Sequence, residues 1–168
     1  MTKNSTSLVD SATAQQSISL DEKDLSILRL LQENARITVK EIADQIHLST
    51  TPVHERIKRL EANGVIKQYA TLIDGTKVKK GLMVICYVSL NQHSKKSGGQ
   101  FIKLINELPD VVECYSISGE FDFMLKIVTE DMNSYYNFHV NKLSQADNIS
   151  QVQSVFIMGI VKQTHLIV

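Results

Sequence analysis

Thr38-Val39-Lys40-Glu41-Ile42-Ala43-Asp44-Gln45-Ile46-His47-Leu48-Ser49-Thr50-Thr51-Pro52-Val53-His54-Glu55-Arg56-Ile57-Lys58-Arg59-Leu60-Glu61-Ala62-Asn63-Gly64-Val65-Ile66 is the stretch of sequence that decides the fold. Thr38 followed three residues later by Glu41 is a capping box, in which each side chain bonds the other residue's backbone N–H. Val39, Ile42, Ala43 and Ile46 then repeat at the spacing of one buried helical stripe, predicting a short helix that ends near His47. His47 stands where glycine is common, in a left-handed position that histidine tolerates. Ser49 offers a hydroxyl cap for a second helix. Pro52 lies in its first turn, where a missing N–H costs no helical bond. Val53, Ile57 and Leu60 form its inward stripe, and Asn63-Gly64 stops it. Two helices joined by a turn of three or four residues, with small Ala43 at the close approach, make a helix-turn-helix.

Working outward toward the N-terminus, Asp21 caps a preceding helix predicted over Glu22 to about Asn34. Asp24 lies in its first turn, and Leu20 and Leu25 stand at the two positions of a hydrophobic staple. Residues 1–18 are rich in Ser, Thr and Gln, with Lys3 as the only base, and are expected to be a disordered tail without a signal-peptide core. Residues 19–65 are the helix-turn-helix unit, and residues 66–81 a linker strand and hinge.

With Val53, Ile57 and Leu60 inward, the opposite face of the second helix of the motif carries Thr50, Thr51, His54, Glu55, Lys58 and Arg59. Ser49 precedes it, and Arg56, Arg59 and Lys67 are expected as phosphate anchors. Hydroxyls, an imidazole and bases are groups that bond base edges and phosphates. The chain is neutral as a whole. Its bases gather where a nucleic-acid reader needs them: Arg56, Lys58, Arg59, Lys67, Lys77, Lys79 and Lys80 face only Glu55, Glu61 and Asp74 within residues 51–80.

The remainder, residues 82–168, alternates strand and helix. Leu82–Leu90 is apolar and β-prone, and Gln92–Gly99 reads as a loop. A helix with the stripe Phe101, Leu104, Ile105 and Leu108 leads to a strand over Val111–Ser118. Gly119–Asp122 is a turn and Phe123–Thr129 a strand. Asp131 caps a helix with the inner stripe Met132, Tyr135, Tyr136, His139 and Leu143, and Val152–Val161 closes the series. The last residues, Thr164–Val168, are candidates for one further strand. The order β-α-β-β-α-β predicts a ferredoxin-like α+β domain with both helices on one face of a four-stranded antiparallel sheet. Met83–Val88, Met124–Val128 and Phe156–Val161 are apolar at both alternating sets of positions. Both sheet faces therefore want cover, and the face without helices is expected against a second copy of the chain.

Forty-three per cent hydrophobic residues and no apolar run of membrane-spanning length point away from a membrane protein. Cys86 and Cys114, both placed in strands expected to be buried, support neither a disulfide framework nor a zinc site. A reducing cytoplasm is the expected compartment. No cofactor or metal ligand set is expected.

Two motifs carry a resemblance that spans roughly residues 20–168. One is Leu48-Ser49-x-x-Pro52-Val53-x-x-Arg56-Ile57-x-x-Leu60-Glu61-x-x-Gly64-x-Ile66, and the other is Ser118-Gly119-Glu120-Phe121-Asp122-Phe123. Together they closely resemble the Lrp/AsnC family, the leucine- and asparagine-responsive regulators. The resemblance implies a winged or extended helix-turn-helix on double-stranded DNA, a nucleoid-associated protein, and a second domain sensing a small effector, an amino acid above all. It also implies homodimers assembling into higher, often octameric, rings. The effector residues it implies are Ser118, Gly119, Glu120, Phe121 and Asp122, with Phe156 and Met158 supplied by a neighbouring subunit. Gly75 stands where the family often has Pro, which is expected to loosen the hinge. Glu120 places a second acid beside Asp122. Some similar proteins act as sirohaem decarboxylases, but His47, His54, His93, His139 and Lys126, the available acid-base groups, show no converging spacing. The sequence is therefore read as a regulator and not as an enzyme.

Overall fold

The computed structural model describes residues 18–92 and 95–168. The expected tail over residues 1–18 falls outside them except for its last position, as does His93. The chain forms two compact units, one of the described residues up to Thr71 together with Thr164–Val168, the other of Leu72–Gln163.

In the first unit, α1 (Glu22–Glu33), α2 (Val39–Ile46) and α3 (Thr50–Ala62) follow the expected starts and stops within a residue. Asp21 and Asp24 form a reciprocal capping box on α1, and Thr38 and Glu41 form another on α2. Eight residues are too few for a stable helix in isolation, so α2 persists because Ile42, Ala43 and Ile46 are buried among Ile27, Leu28, Val53, Ile57 and Leu60. Lys23 donates to the carbonyl of Ile46 at 2.6 Å, placing a cation at the negative end of α2. His47 ends α2 with φ 55°, the left-handed conformation its position requires. Gly64, at φ 69°, turns the chain out of α3. Ser49 occupies the N-cap position of α3, but its hydroxyl makes no capping bond, contrary to the expected cap.

Two expectations about the flanking segments are corrected. Residues 66–81 form no strand. They run without regular structure into a single 3-10 turn, Gly75–Val78, started by the Asp74 side chain accepting from the Thr76 N–H. At Gly75 the chain turns back closely on itself. The Lys80 N–H donates to the Gly75 carbonyl at 2.7 Å, and a Cβ on Gly75 would lie 2.5 Å from the Lys80 carbonyl oxygen. Thr164–Val168 add no strand either. The Gln32 side chain of α1 donates to the carbonyl of His165 and accepts from the N–H groups of Ile167 and Val168, giving this backbone partners that a sheet edge would otherwise supply.

The second unit runs β1 (Leu82–Leu90), α4 (Lys95–Glu107), β2 (Val111–Ser116), β3 (Phe123–Thr129), α5 (Met132–Phe138) and β4 (Ile149–Phe156). The strands lie in the order β2-β3-β1-β4, all antiparallel, which is the expected ferredoxin-like sheet. Val84, Cys86, Val88, Phe123, Leu125 and Ile127 form its buried face, packed with Phe101 and Ile105 of α4 and Tyr135, Phe138 and Leu143 from α5 and the turn after it. α4 begins six residues before the first residue of its apolar stripe, Phe101, and includes Gly98 and Gly99. Each glycine costs a helix interior about 1 kcal/mol, which is offset where Asn148 donates to the Ser97 carbonyl at 2.9 Å and where Phe101 and Ile105 are buried.

Three further expectations are corrected in this unit. α5 gives way to a π turn at His139–Leu143, so the buried positions are Tyr135, Phe138 and Leu143, and the expected Met132 and Tyr136 are exposed. β4 starts three residues early and stops at Phe156, because Val152, Ser154 and Phe156 are the residues opposite Val88, Cys86 and Val84. Cys114 lies exposed on β2, an edge strand, whereas Cys86 is buried and hydrogen-bonded to the Tyr135 hydroxyl. Burial pushes the Cys86 thiol up, so it stays protonated.

A left-handed non-glycine residue costs on the order of 1 kcal/mol. His47→Gly is therefore expected to stabilise the helical unit by roughly 0.5–1 kcal/mol, read from urea unfolding; loss of stability would show that the imidazole makes a contact worth more than the strain.

Candidate nucleic-acid interface and effector turn

The orientation of α3 fixes what the first unit can offer to a partner. Val53, Ile57 and Leu60 are buried, so Ser49, Thr50, Thr51, His54, Glu55 and Lys58 stand exposed on the opposite side, as the helical spacing predicts. Lys67, beyond the helix, is exposed as well.

Arg56 and Arg59 are placed differently. The Arg56 guanidinium donates to Asp21 at 2.7 Å and to Asp24 at 2.7 Å, and Arg59 donates to the other oxygen of Asp24. The Asp24 side chain is fully buried. The bond to Asp24, and then the bond to Asp21, holds the Arg56 pKa above its usual value. Asp21 is held below the usual carboxylate range, first by the Asp24 backbone N–H and then by Arg56. Arg56 thus ties α3 to α1 through its Nη1. Arg59, with its side chain 45% exposed, retains donors toward solvent.

The sequence reading missed these acids as partners. Helical spacing contained the signal, since Arg56 is three residues after Val53 and four before Leu60, at the border of the buried stripe. Tyr69 adds a further tie: its hydroxyl donates to Glu61 at 2.8 Å, and burial, then Glu61, pushes its pKa up to about 12.

In the second unit, the turn between β2 and β3 is fastened to the end of β1. The Asp122 N–H donates to the Val88 carbonyl at 3.0 Å, and the Leu90 N–H donates to the Asp122 carboxylate at 2.8 Å. The Ser89 hydroxyl donates to the Glu120 carbonyl at 3.2 Å. Gly119 has φ 126°, a conformation closed to L side chains. Ser118, Gly119 and Glu120 are exposed, and the Phe121 ring lies 5.5 Å from that of Tyr87. Asp122 therefore shapes the turn in addition to bringing a carboxylate to it.

Phe156 and Met158, expected from a neighbouring subunit, lie apart from this chain's own turn. Phe156 pairs with Val84 on the helix-covered face, its ring edge-on to Tyr135 at 5.3 Å, and Met158 lies beyond β4, almost wholly exposed. The acid-base candidates do not converge among the described residues. His139 meets Ser144 at 3.2 Å, Lys126 donates to Glu113 at 2.7 Å, His54 is on the outward face of α3, and His47 ends α2. No group of three or more His, Cys, Asp or Glu among the described residues could hold a metal. No helix among them is long and apolar enough to cross a membrane.

A helix-turn-helix with an outward polar face, followed by a ferredoxin-like sheet with a fastened glycine turn, defines the class: a DNA reader joined to a ligand-binding domain. Residues 20–67 match the family model described as winged helix-turn-helix DNA-binding, and residues 83–167 match that of the Lrp/AsnC ligand binding domain. The chain belongs to the Lrp/AsnC family of DNA-binding transcriptional regulators. It is 37% identical to the transcriptional regulator AzlB of Bacillus subtilis over 88% of this chain and 94% of that one. It is 32% identical to the glutamate uptake regulatory protein of Zymomonas mobilis over 88% and 90% of the two chains. Its fold superposes on a transcriptional regulator from Neisseria meningitidis, solved in complex with L-Met, with a TM-score of 0.84 and 33% identity over 88% of this chain and 95% of the other.

Removing a charged hydrogen-bond partner from a buried cluster costs about 2 kcal/mol when the remaining groups can reach water, as Arg56 and Arg59 can. Asp24→Asn is expected to destabilise the helical unit by about that amount in chemical unfolding; an unchanged midpoint would mean that α1 and α3 are held by their apolar contacts alone.

Proposed function

We propose that this protein binds specific double-stranded DNA sites with Ser49, Thr50, Thr51, His54 and Lys58, assisted by Arg59 and Lys67 on phosphate, and that a small amino-acid effector held at residues 118–122 modulates that binding. The observation that carries the reading is the inward placement of Val53, Ile57 and Leu60, which leaves the hydroxyl, imidazole and ammonium groups of α3 together on its outer side. The Ser49 hydroxyl, without a capping bond at the positive end of α3, is suited to a backbone phosphate. Arg56, expected as a further anchor, uses its Nη1 to hold Asp21 and Asp24.

An amino acid suits the 118–122 turn because exposed backbone and the carboxylates of Glu120 and Asp122 can meet its carboxylate and ammonium ends. The Neisseria relative, with L-Met bound, supports that class of effector. The face of the sheet away from α4 and α5 carries Met83, Ile85, Tyr87, Met124, Val128, Tyr115 and Val155, half-buried or exposed in the single chain. We assign that face to a homodimer contact, with higher assembly up to an octamer. Two readers on one duplex would then compensate for a modestly basic surface. The place of action that follows is the cytoplasm, at the nucleoid.

Fluorescence anisotropy on upstream DNA fragments, with a panel of amino acids, tests both halves. Lys58→Ala is expected to weaken binding several-fold at moderate salt and to make the dependence of log affinity on log salt shallower by about one. An unchanged slope would take Lys58 off the phosphate backbone. Asp122→Asn keeps an acceptor for Leu90 while removing the charge. It is expected to abolish the effector response with effector-free DNA affinity intact, and a full response would remove the carboxylate from the site.

A further inference from the structure

The Gly-x-x-Asp turn lies at one end of the sheet, and a second opening lies at the other. β1 and β3 run antiparallel from the Val88–Phe123 end to the Leu82–Thr129 end, a span of roughly 20 Å. At the Leu82–Thr129 end, a cavity of about 360 Å³ is lined by the linker exit, the turn before β2, the end of β3, α5 and the π turn. Its size is that of a metabolite site.

The chemistry of this cavity differs from that of the effector turn. Asp110, with a side chain only 17% exposed, accepts from Lys80 at 2.8 Å through one oxygen and from Lys142 at 3.0 Å through the other. Burial alone would raise the Asp110 pKa, but the two lysines hold it below the usual carboxylate range, so it stays ionised. Lys79 stands 3.7 Å from Glu130. Three lysines thus meet two carboxylates, leaving one positive charge in excess. Each ammonium has three donors, and Lys80 and Lys142 are both nearly half exposed, so they retain donors for a ligand. Asn137 and Asn141 add uncharged donors at the rim.

Lys142 is delivered by the π turn at His139–Leu143. Such turns are rare and recur at functional sites, because the extra residue rotates the side chains that follow it. Regular α-helical spacing would follow Phe138 with another buried residue at 141 or 142. The π turn defers it to Leu143, leaving Asn141 and Lys142 at the cavity.

We propose that this cavity binds a small multiply charged anion, a phosphate or a dicarboxylate, through Lys79, Lys80 and Lys142 with Asn137 and Asn141. The site is separate from the amino-acid reading of the glycine turn. Lys79 and Lys80 directly follow the 3-10 turn, and the N–H groups of both donate to the Gly75 carbonyl. An anion bridging them to Lys142 would join this segment to the π turn within the second unit. Occupancy would thus give the regulator an input independent of its amino-acid effector.

Titration of the full-length protein with inorganic phosphate and, separately, with succinate tests this at constant ionic strength, read by thermal unfolding and calorimetry. The expected result is a saturable rise in melting temperature with at least one anion, and the tighter of the two identifies the source chemistry. Lys142→Gln should weaken that binding at least tenfold. Lys79→Gln, at an exposed side chain whose loss should not impair folding, should weaken it several-fold. Lys58→Gln on α3 should leave it unchanged, and Asp110→Asn, which removes a competing charge, should tighten it. The proposal is overturned if neither anion gives a saturable response. It is equally overturned if Lys58→Gln abolishes the response, which would place the anion on the reader, or if Asp110→Asn weakens binding as much as Lys142→Gln, which would make the cluster a clamp between segments and nothing more.

Discussion

A single buried carboxylate sets the geometry of the reader. Asp24 caps α1 in exchange with Asp21, and the same side chain receives Arg56 and Arg59 from α3. A carboxylate without water is costly unless every oxygen has a donor, and here both do. Apolar packing of Val53, Ile57 and Leu60 tells α3 which side to bury. The two arginines fix its rotation and its position along α1 more narrowly than non-directional burial can. The outward residues inherit that placement, and with it their ability to address a groove.

The ligand-binding domain depends on a comparable fixing of backbone. Its sheet register places Val84, Cys86 and Val88 beneath the helices and Met83, Ile85 and Tyr87 on the other face. A strand slip of one residue would exchange the two sets. The glycine turn is bolted to β1 by Asp122, and Lys79 and Lys80 both donate through their N–H groups to the Gly75 carbonyl. The two proposed ligand regions lie at opposite ends of the same sheet, one bearing Glu120 and Asp122 and the other three lysines. Opposite charge would give them opposite chemical preferences.

Much of this was legible in the sequence because its strongest signals are local. Caps at Asp21, Thr38 and Asp131, the left-handed His47, and the stripe on α3 each depend on neighbours within four residues, and each appears where expected. Several of the departures come from contacts distant in the chain. The acids that receive Arg56 lie 32 and 35 residues away, so the sequence reading does not pair them with it. Gly98 and Gly99 read as loop because the tie from Asn148 to Ser97 spans 51 residues. The π turn has no simple periodic signature, so a period of 3.6 carried the stripe from Tyr135 onto Met132 and Tyr136 instead of Phe138. Thr164–Val168 look β-prone, but their backbone partner is a glutamine side chain on α1. The contiguous turn at residues 118–122 is local, and its ties to β1 run from Leu90 and Ser89.

The central claim is that the outer side of α3 meets DNA, and site-directed photocrosslinking examines that contact without relying on affinity. A single photoactivatable cysteine adduct at position 54, in a chain with exposed Cys114 replaced by serine, is compared with one at position 29 on the solvent side of α1. The account predicts strong DNA crosslinking from position 54, suppressed by excess unlabelled target, and little from position 29. Equal yields from the two positions, or a yield confined to position 29, would contradict it.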